Sequence, residues 1–287
     1  MDEINRRQES EPCIMKVLVT GAKGMLGQDL CPILEDAGYE VVETDVDNLD
    51  ITDTEKCLDF LKNEKPNLVI HCAAYTNVDK AEEDLDTARL INFKGTENIA
   101  KACQKIDATL VYISTDYVFD GTNTKPYTPE DKTNPINNYG LTKLEGENAV
   151  KECCKKYYIA RTSWLYGHHG KNFVETMISL KDKEDLKVVD DQTGCPTWTV
   201  ELANGIIKLL DKPFGIYHVC GSGITTWFGF TQEIFKLIDA KTNLKPCTTQ
   251  DFPRPAKRPQ YSVMENKGIC RDWKLALKDY IKLRIEE

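Results

Sequence analysis

Tyr139 and Lys143 stand four residues apart in Tyr139-Gly-Leu-Thr-Lys143. On a helix those two positions share a face, so a phenol and an ammonium can converge on one ligand. A tyrosine titrates near pH ~10, too high for ready proton exchange at neutrality. A cation beside it favours the phenolate and lowers that value, which makes Tyr139 a candidate general acid. Ser114-Thr115-Asp116 closes a short apolar run upstream. A hydroxyl there can align a substrate oxygen: Thr115 is the first choice and Ser114 the second, with Asp116 beside them on the substrate side.

A second constellation lies near the start. Gly21-Ala-Lys-Gly24-Met25-Leu26-Gly27 spells G-x-x-G-x-x-G between an apolar run and a helical pattern. Glycines allow a tight turn and close backbone approach to a pyrophosphate, which the free N–H groups of the following helix can hold. Asp45 lies 18 residues beyond Gly27, where an acid accepts from the ribose hydroxyls of the adenosine half. It would repel a 2′-phosphate, and no arginine adjoins it, so the expectation is NADH over NADPH. Asp50 and Ile51 are expected to flank the adenine. With a dinucleotide in place, Tyr139 protonates a carbonyl oxygen as hydride reaches the carbon, and Lys143 also binds the nicotinamide ribose.

The elements that must position these groups are legible in outline. Lys16–Thr20 reads as a buried parallel strand ending on Gly21. A helix follows over 24–37, stopped by Gly38. Strands are expected at 41–42, 68–73, 109–114 and 158–162, and helices at 58–62, 78–104 and 139–155. The stretch 120–138, with Gly121, Pro126, Pro129 and Pro135, reads as a surface loop. This alternation predicts an α/β fold with a Rossmann-type doubly wound parallel sheet. A smaller α+β substrate-binding part is expected over 166–287, with segments returning to the dinucleotide-binding part at 15–165. Residues 1–14 are read as a flexible extension.

Composition narrows the function. The 287 residues carry a formal charge of -9, without the basic face of a nucleic-acid binder. No apolar run approaches the ~18 residues of a membrane span. Eleven cysteines are an odd number, and no C-x-x-C pair occurs among them. They read as reduced thiols of a cytoplasmic protein. No metal-ligand spacing occurs: His168 and His169 are assigned no role, and His71 and His218 are read as satisfying hydrogen bonds within strands. Arg258 matches a diphosphate in geometry. Asn92 is read as holding backbone geometry or a water near Lys143, on the cofactor side.

From Val17 onward the chain resembles the extended short-chain dehydrogenases, and among them is most similar to the dTDP-4-dehydrorhamnose reductases. The likeness is carried by GAKGMLG (21–27), HCAAYTNVDKAE (71–82), STDYVFDG (114–121), YGLTK (139–143), RTSWLYG (161–167), DDQTGCPT (190–197) and FPRPAKRP (252–259). The resemblance implies reduction of a sugar-nucleotide ketone with NAD(P)H, and Thr115, Tyr139 and Lys143 as the catalytic triad. It implies cofactor contacts from Ala73, Ala74 and Tyr75, substrate contacts around Thr76, Val78 and Trp164, and a homodimer. Dehydratases of this superfamily carry Thr-Asp-Glu, whereas this chain has Thr115-Asp116-Tyr117, so elimination loses an acid. Two alternatives stay open: another sugar-nucleotide epimerase or dehydratase, or a non-catalytic regulatory subunit resembling that of methionine adenosyltransferase.

Overall fold

A computed structural model describes residues 14–286; the expected extension therefore lies almost wholly outside the described residues. The chain opens with β1 (Lys16–Thr20), α1 (Met25–Asp36), β2 (Glu40–Thr44), α2 (Thr54–Glu64) and β3 (Leu68–His71). Next come α3 (Lys80–Glu83), α4 (Leu85–Arg89), a π-helical turn (Leu90–Gly95), α5 (Thr96–Ile106) and β4 (Thr109–Thr115). A 3₁₀ turn at Asp116–Val118 leads into the expected loop, then α6 (Asn138–Cys153) and β5 (Tyr157–Thr162). The rest comprises β6 (Leu165–Tyr166), α7 (Phe173–Ser179), β7 (Asp185–Val189), β8 (Thr193–Gly194), β9 (Thr197–Trp198) and α8 (Thr199–Leu209). It ends with β10 (Gly215–His218), β11 (Thr225–Thr226), α9 (Trp227–Leu237), β12 (Asn243–Cys247) and α10 (Trp273–Glu286).

Six parallel strands form the main sheet in the order β10-β5-β4-β3-β1-β2. The order reverses between β1 and β3, which is where doubly wound sheets open a ligand crevice at the carboxyl ends of the strands. Val17, Val19 and Val111 pack under α1 and α8 on one face, while Leu18, Val69 and Leu110 pack under α2 and α5 on the other. Burial on both faces explains why these strands read as continuous apolar runs. A separate aromatic core, including Tyr166, Trp198, Phe230, Trp273 and Tyr280, holds the C-terminal elements around α7, α9 and α10. Two C-terminal elements join the main body: α8 lies against α1, and β10 pairs with β5.

The single helix expected over 78–104 is in fact broken. Asp84, outside helical geometry and accepting from Thr87 N–H, restarts the chain as an N-cap. The π-turn then adds a residue to the helical register, a local adjustment that recurs at functional sites. Among the described residues no helix is long and apolar enough to cross a membrane.

Candidate active site

A cleft of about 920 Å³ opens at the carboxyl ends of β1, β3, β4 and β5. Its near end is built by the glycine turn. Gly21 has φ +68°, and a Cβ there would sit 2.7 Å from Ala73 N; one on Gly27 would meet the Gly21 carbonyl at 2.5 Å. Only bare backbone lets β1, β3 and α1 come this close. Gly24 caps α1 without a side-chain bond, and the first turn of that helix has no acidic residue. The N-terminal amides are thus left to a ligand, a donor set that suits a pyrophosphate. Gly21, Gly24, Met25, Leu26, Gly27, Asp50, Ile51, Ala73 and Ala74 all line the cleft.

Asp45 lines it too, but its carboxylate also has a local task. It accepts from Lys23 N–H at 3.0 Å and Val46 N–H at 2.8 Å, tying the end of β2 to the glycine turn. Lys23, overlooked in the sequence, brings an ammonium to this corner through its ion pair with Asp47 at 2.7 Å. The corner is therefore less purely acidic than the sequence suggested.

The candidate catalytic groups sit at the other end. Tyr139 and Lys143 lie on the first turns of α6, whose N-cap Asn137 accepts from Gly140 N–H at 2.8 Å. Lys143 is buried, donates to the Ile113 carbonyl at 2.7 Å, and lies 4.2 Å from the centre of the Tyr112 ring. Burial lowers its pKa to about 7, against the pull of Glu147. Tyr139 departs from expectation: burial pushes its phenol up to about 12, with the Thr115 hydroxyl opposing and the Asp116 carboxylate adding to the rise. The ammonium is committed to β4 rather than to the phenol. Tyr139 is accordingly held as the protonated acid, the form a reduction needs.

The two candidate hydroxyls separate cleanly. Ser114 Oγ donates to Glu147 Oε1 at 2.6 Å, and Arg161 grips that same carboxylate through Nε and Nη2, both at 2.8 Å. Thr115 Oγ1 accepts from Tyr117 N–H, donates to Asp116 Oδ1 at 3.0 Å and lies within hydrogen-bonding reach of Tyr139. Thr115 serves the cleft; Ser114 serves the buried ion pair. Asp116 is itself buried, and desolvation lifts its carboxyl to about 6 although the Ser262 and Thr115 hydroxyls favour the charged form.

Three other expected residues lie outside the cleft lining. Asn92, on the π-turn, accepts from Tyr75 N–H at 2.8 Å and donates to the Tyr75 carbonyl at 3.0 Å and to Thr142. It braces the backbone after β3 in the manner of a ladder partner, the first of its two expected tasks. Tyr75 is the braced residue and lies outside the cleft lining, whereas Thr76 and Val78 are in it. Arg258 does not face the cleft: both ends of its fork bind Asp79, at 2.5 and 2.9 Å. The fork is satisfied by a carboxylate 179 residues away. His71 is satisfied as expected, between Thr20 and Thr96.

Trp164 lines the cleft as expected, but one face of its indole lies against Trp227, with centroids 3.5 Å apart and planes 6° apart. Trp227 and the Glu147–Arg161 pair escaped the sequence reading. Both depend on contacts between distant segments, and neither has a local signature. Among the described residues no cluster suited to a metal ion occurs.

Comparison with known proteins agrees with this geometry. The family model described as RmlD substrate binding domain matches residues 15–284. The spore coat polysaccharide biosynthesis protein SpsK of Bacillus subtilis (strain 168) is 42% identical over 94% of this chain and 98% of its own. A dTDP-4-dehydrorhamnose reductase of Streptomyces griseus is 41% identical over 91% of each. The solved dTDP-4-dehydrorhamnose reductase of Clostridium acetobutylicum superposes with a TM-score of 0.92 at 49% identity, over 94% of this chain and all of that one. That of Bacillus anthracis, solved in complex with NADP, gives 0.91 at 41% identity over 96% of this chain and 100% of its own. With a matching family model over nearly all described residues and relatives of this identity, the chain belongs to the RmlD substrate-binding-domain family.

Proposed function

We propose that this chain is an NAD(P)H-dependent reductase of the 4-keto group of dTDP-4-dehydro-rhamnose, supplying dTDP-rhamnose for cell-surface polysaccharide. The observation that carries the chemistry is the Tyr139 phenol beside the Thr115 hydroxyl in a cleft that begins at a glycine turn. The bound nicotinamide cofactor supplies the hydride. Gly21, Gly24 and Gly27 with the N-terminus of α1 would hold its pyrophosphate, and Asp45 with Ile51 its adenosine half. Thr115 orients the substrate carbonyl, Tyr139 gives that oxygen its proton, and Lys143 fixes the reacting end of the cleft against β4. Where elimination would need a second acid stands Tyr117, packed edge-on against Tyr139 with centroids 5.8 Å apart. That supports reduction over dehydration.

The preference between cofactors turns on one corner. Asp45 disfavours a 2′-phosphate and Lys23 offsets it in part, so NADH is accepted at least as well as NADPH. Asp45→Ala should shift the ratio of the two kcat/KM values toward NADPH, and an unchanged ratio would place the determinant elsewhere. The partner besides substrate is a second copy of this chain, the homodimer that the family resemblance implies; sedimentation velocity checks it. Oxidation of NADH and NADPH, followed by absorbance with dTDP-4-dehydro-rhamnose as substrate, tests the whole reading. Rapid oxidation supports it. Tight cofactor binding without turnover would favour a regulatory or binding protein instead.

A further inference from the structure

The strongest unassigned feature of the cleft is the indole pair on its C-terminal side. Trp164 has φ +47°, a left-handed conformation that costs a bulky residue energy and turns its ring out of the β5 direction. Its plane is then fixed from the C-terminal segments. A Cβ at Gly194 would lie 2.7 Å from Trp164 Cζ2 and Nε1, so the indole rests on bare backbone there. Trp227 covers a face at 3.5 Å, nearly parallel.

That stack is not what two indoles choose by themselves. Aromatic pairs favour offset or edge-to-face arrangements with centroids roughly 4.5–7 Å apart. Here the centroid separation is hardly more than the thickness of a ring, so other contacts must hold Trp227 in register. They are present. Trp227 Nε1 donates to Gln192 Oε1 at 3.1 Å, and Gln192 Nε2 donates to Thr249 Oγ1 at 2.9 Å. Thr249 Oγ1 in turn donates to Asp191 Oδ1 at 2.6 Å. Phe173 packs on Trp227 with centroids 4.5 Å apart. Thr226 caps the helix that Trp227 begins, accepting from Gly229 N–H and donating to Asp190. Thus Asp190, Asp191 and Gln192, one continuous stretch, all serve to place this single ring.

We propose that Trp227 is a positioning and specificity residue for the nucleotide-sugar substrate, holding the Trp164 indole at the angle that receives it. The inference rests on the sugar-nucleotide reading above and adds to it a second aromatic residue with its own anchoring chain. Trp227 takes no part in proton or hydride movement. Its effect falls on substrate affinity, leaving cofactor affinity alone, because the dinucleotide cradle is at the other end of the cleft.

The test combines spectroscopy with kinetics. Two face-to-face indoles give an exciton couplet in far-ultraviolet circular dichroism, and neither Trp198 nor Trp273 stacks on another indole. Wild type should show the couplet, and dTDP should perturb it; Trp227→Phe and Trp227→Ala should both lack it. Trp227→Ala should raise the KM for dTDP-4-dehydro-rhamnose about tenfold, with kcat and the KM for NAD(P)H within about twofold. Trp227→Phe, still able to cover Trp164, should recover most of the affinity, and Gln192→Ala should fall between. Since a misfolded variant would lose cofactor binding as well, the unchanged NAD(P)H KM separates positioning from collapse. A Trp227→Ala protein that binds substrate as tightly as wild type overturns this inference alone. Wild type that neither binds dTDP nor turns over the sugar overturns the functional reading, and this inference with it.

Discussion

At the scale of single residues, the division of labour follows from which groups burial leaves protonated. Tyr139 is pushed to about 12 and Lys143 lowered to about 7, both by loss of water. Across neutral pH the phenol therefore keeps its proton, and Lys143 is the group whose charge changes. In the reductive direction kcat/KM should bend downward above about pH 7 as Lys143 loses its proton, since this ratio reports the free enzyme. Tyr139→Phe should lower kcat by roughly 10²-fold or more while NAD(P)H affinity and the bend persist. If the bend vanished with the phenol, Tyr139 would be the titrating group. Asp116 carries a different signature. Its carboxyl stands at about 6 in the folded chain against the ordinary 3.8, raised by burial. Between those values the folded state holds a proton that the unfolded state has released. The stability from this group is thus complete below the ordinary value and disappears as pH rises through about 6. Denaturant titrations should find that Asp116→Asn gains on wild type by up to ~3 kcal/mol between about pH 4 and pH 7. A pH-independent difference would mean that Asp116 titrates normally.

At the scale of elements, the catalytic helix is held by an ion pair rather than by apolar packing alone. Tyr139, Lys143 and Glu147 recur every fourth residue along one side of α6, and Glu147, fully buried, is gripped by Arg161 of β5 and Ser114 of β4. This pair clamps α6 across two adjacent strands and so fixes where the phenol emerges. Removing one partner strands the other charge in the interior. Glu147→Ala should cost about 3–5 kcal/mol of unfolding free energy, whereas Ser114→Ala should cost only about 1 and leave kcat nearly intact. Thr115→Ala should do the reverse, with kcat falling and stability little changed. Equal kinetic losses from Ser114→Ala and Thr115→Ala would undo the assignment of roles. The π-turn serves the same end from the opposite wall, since its extra residue turns the Asn92 amide to both backbone groups of Tyr75.

At the scale of the whole molecule, Arg258 and Asp79 join the loop before α10 to the segment after β3. Both side chains are largely shielded, and Ala256 N–H adds a third bond to the same carboxylate. Arg258→Ala should lower stability by roughly 2 kcal/mol, as loss of a charged hydrogen-bond pair does. It should also make the 252–259 loop the first site of limited proteolysis and raise the KM for the sugar nucleotide more than for NAD(P)H. Unchanged protease sensitivity there would show that the loop is held by other contacts.

Five of the six strands of the main sheet, the glycine turn and the spacing of the candidate catalytic groups were legible in the chain; the edge strand β10 was not. Each of these is encoded locally, by continuous apolar runs in strands buried on both faces, by glycines at a strand-to-helix junction, and by a spacing of four on one helix. Gly21, Thr115, Tyr139 and Lys143, all of which line the cleft, could be named from the residues next to them. The partnerships across long separations came from packing: Asp79 for Arg258, Glu147 for Ser114, Tyr75 for Asn92, Trp227 for Trp164. It also reversed the direction of the Tyr139 shift, because the loss of water around a phenol and the aim of a lysine depend on everything that packs over them. Spacing fixes which groups can meet, and burial then decides the charge each one carries when they do.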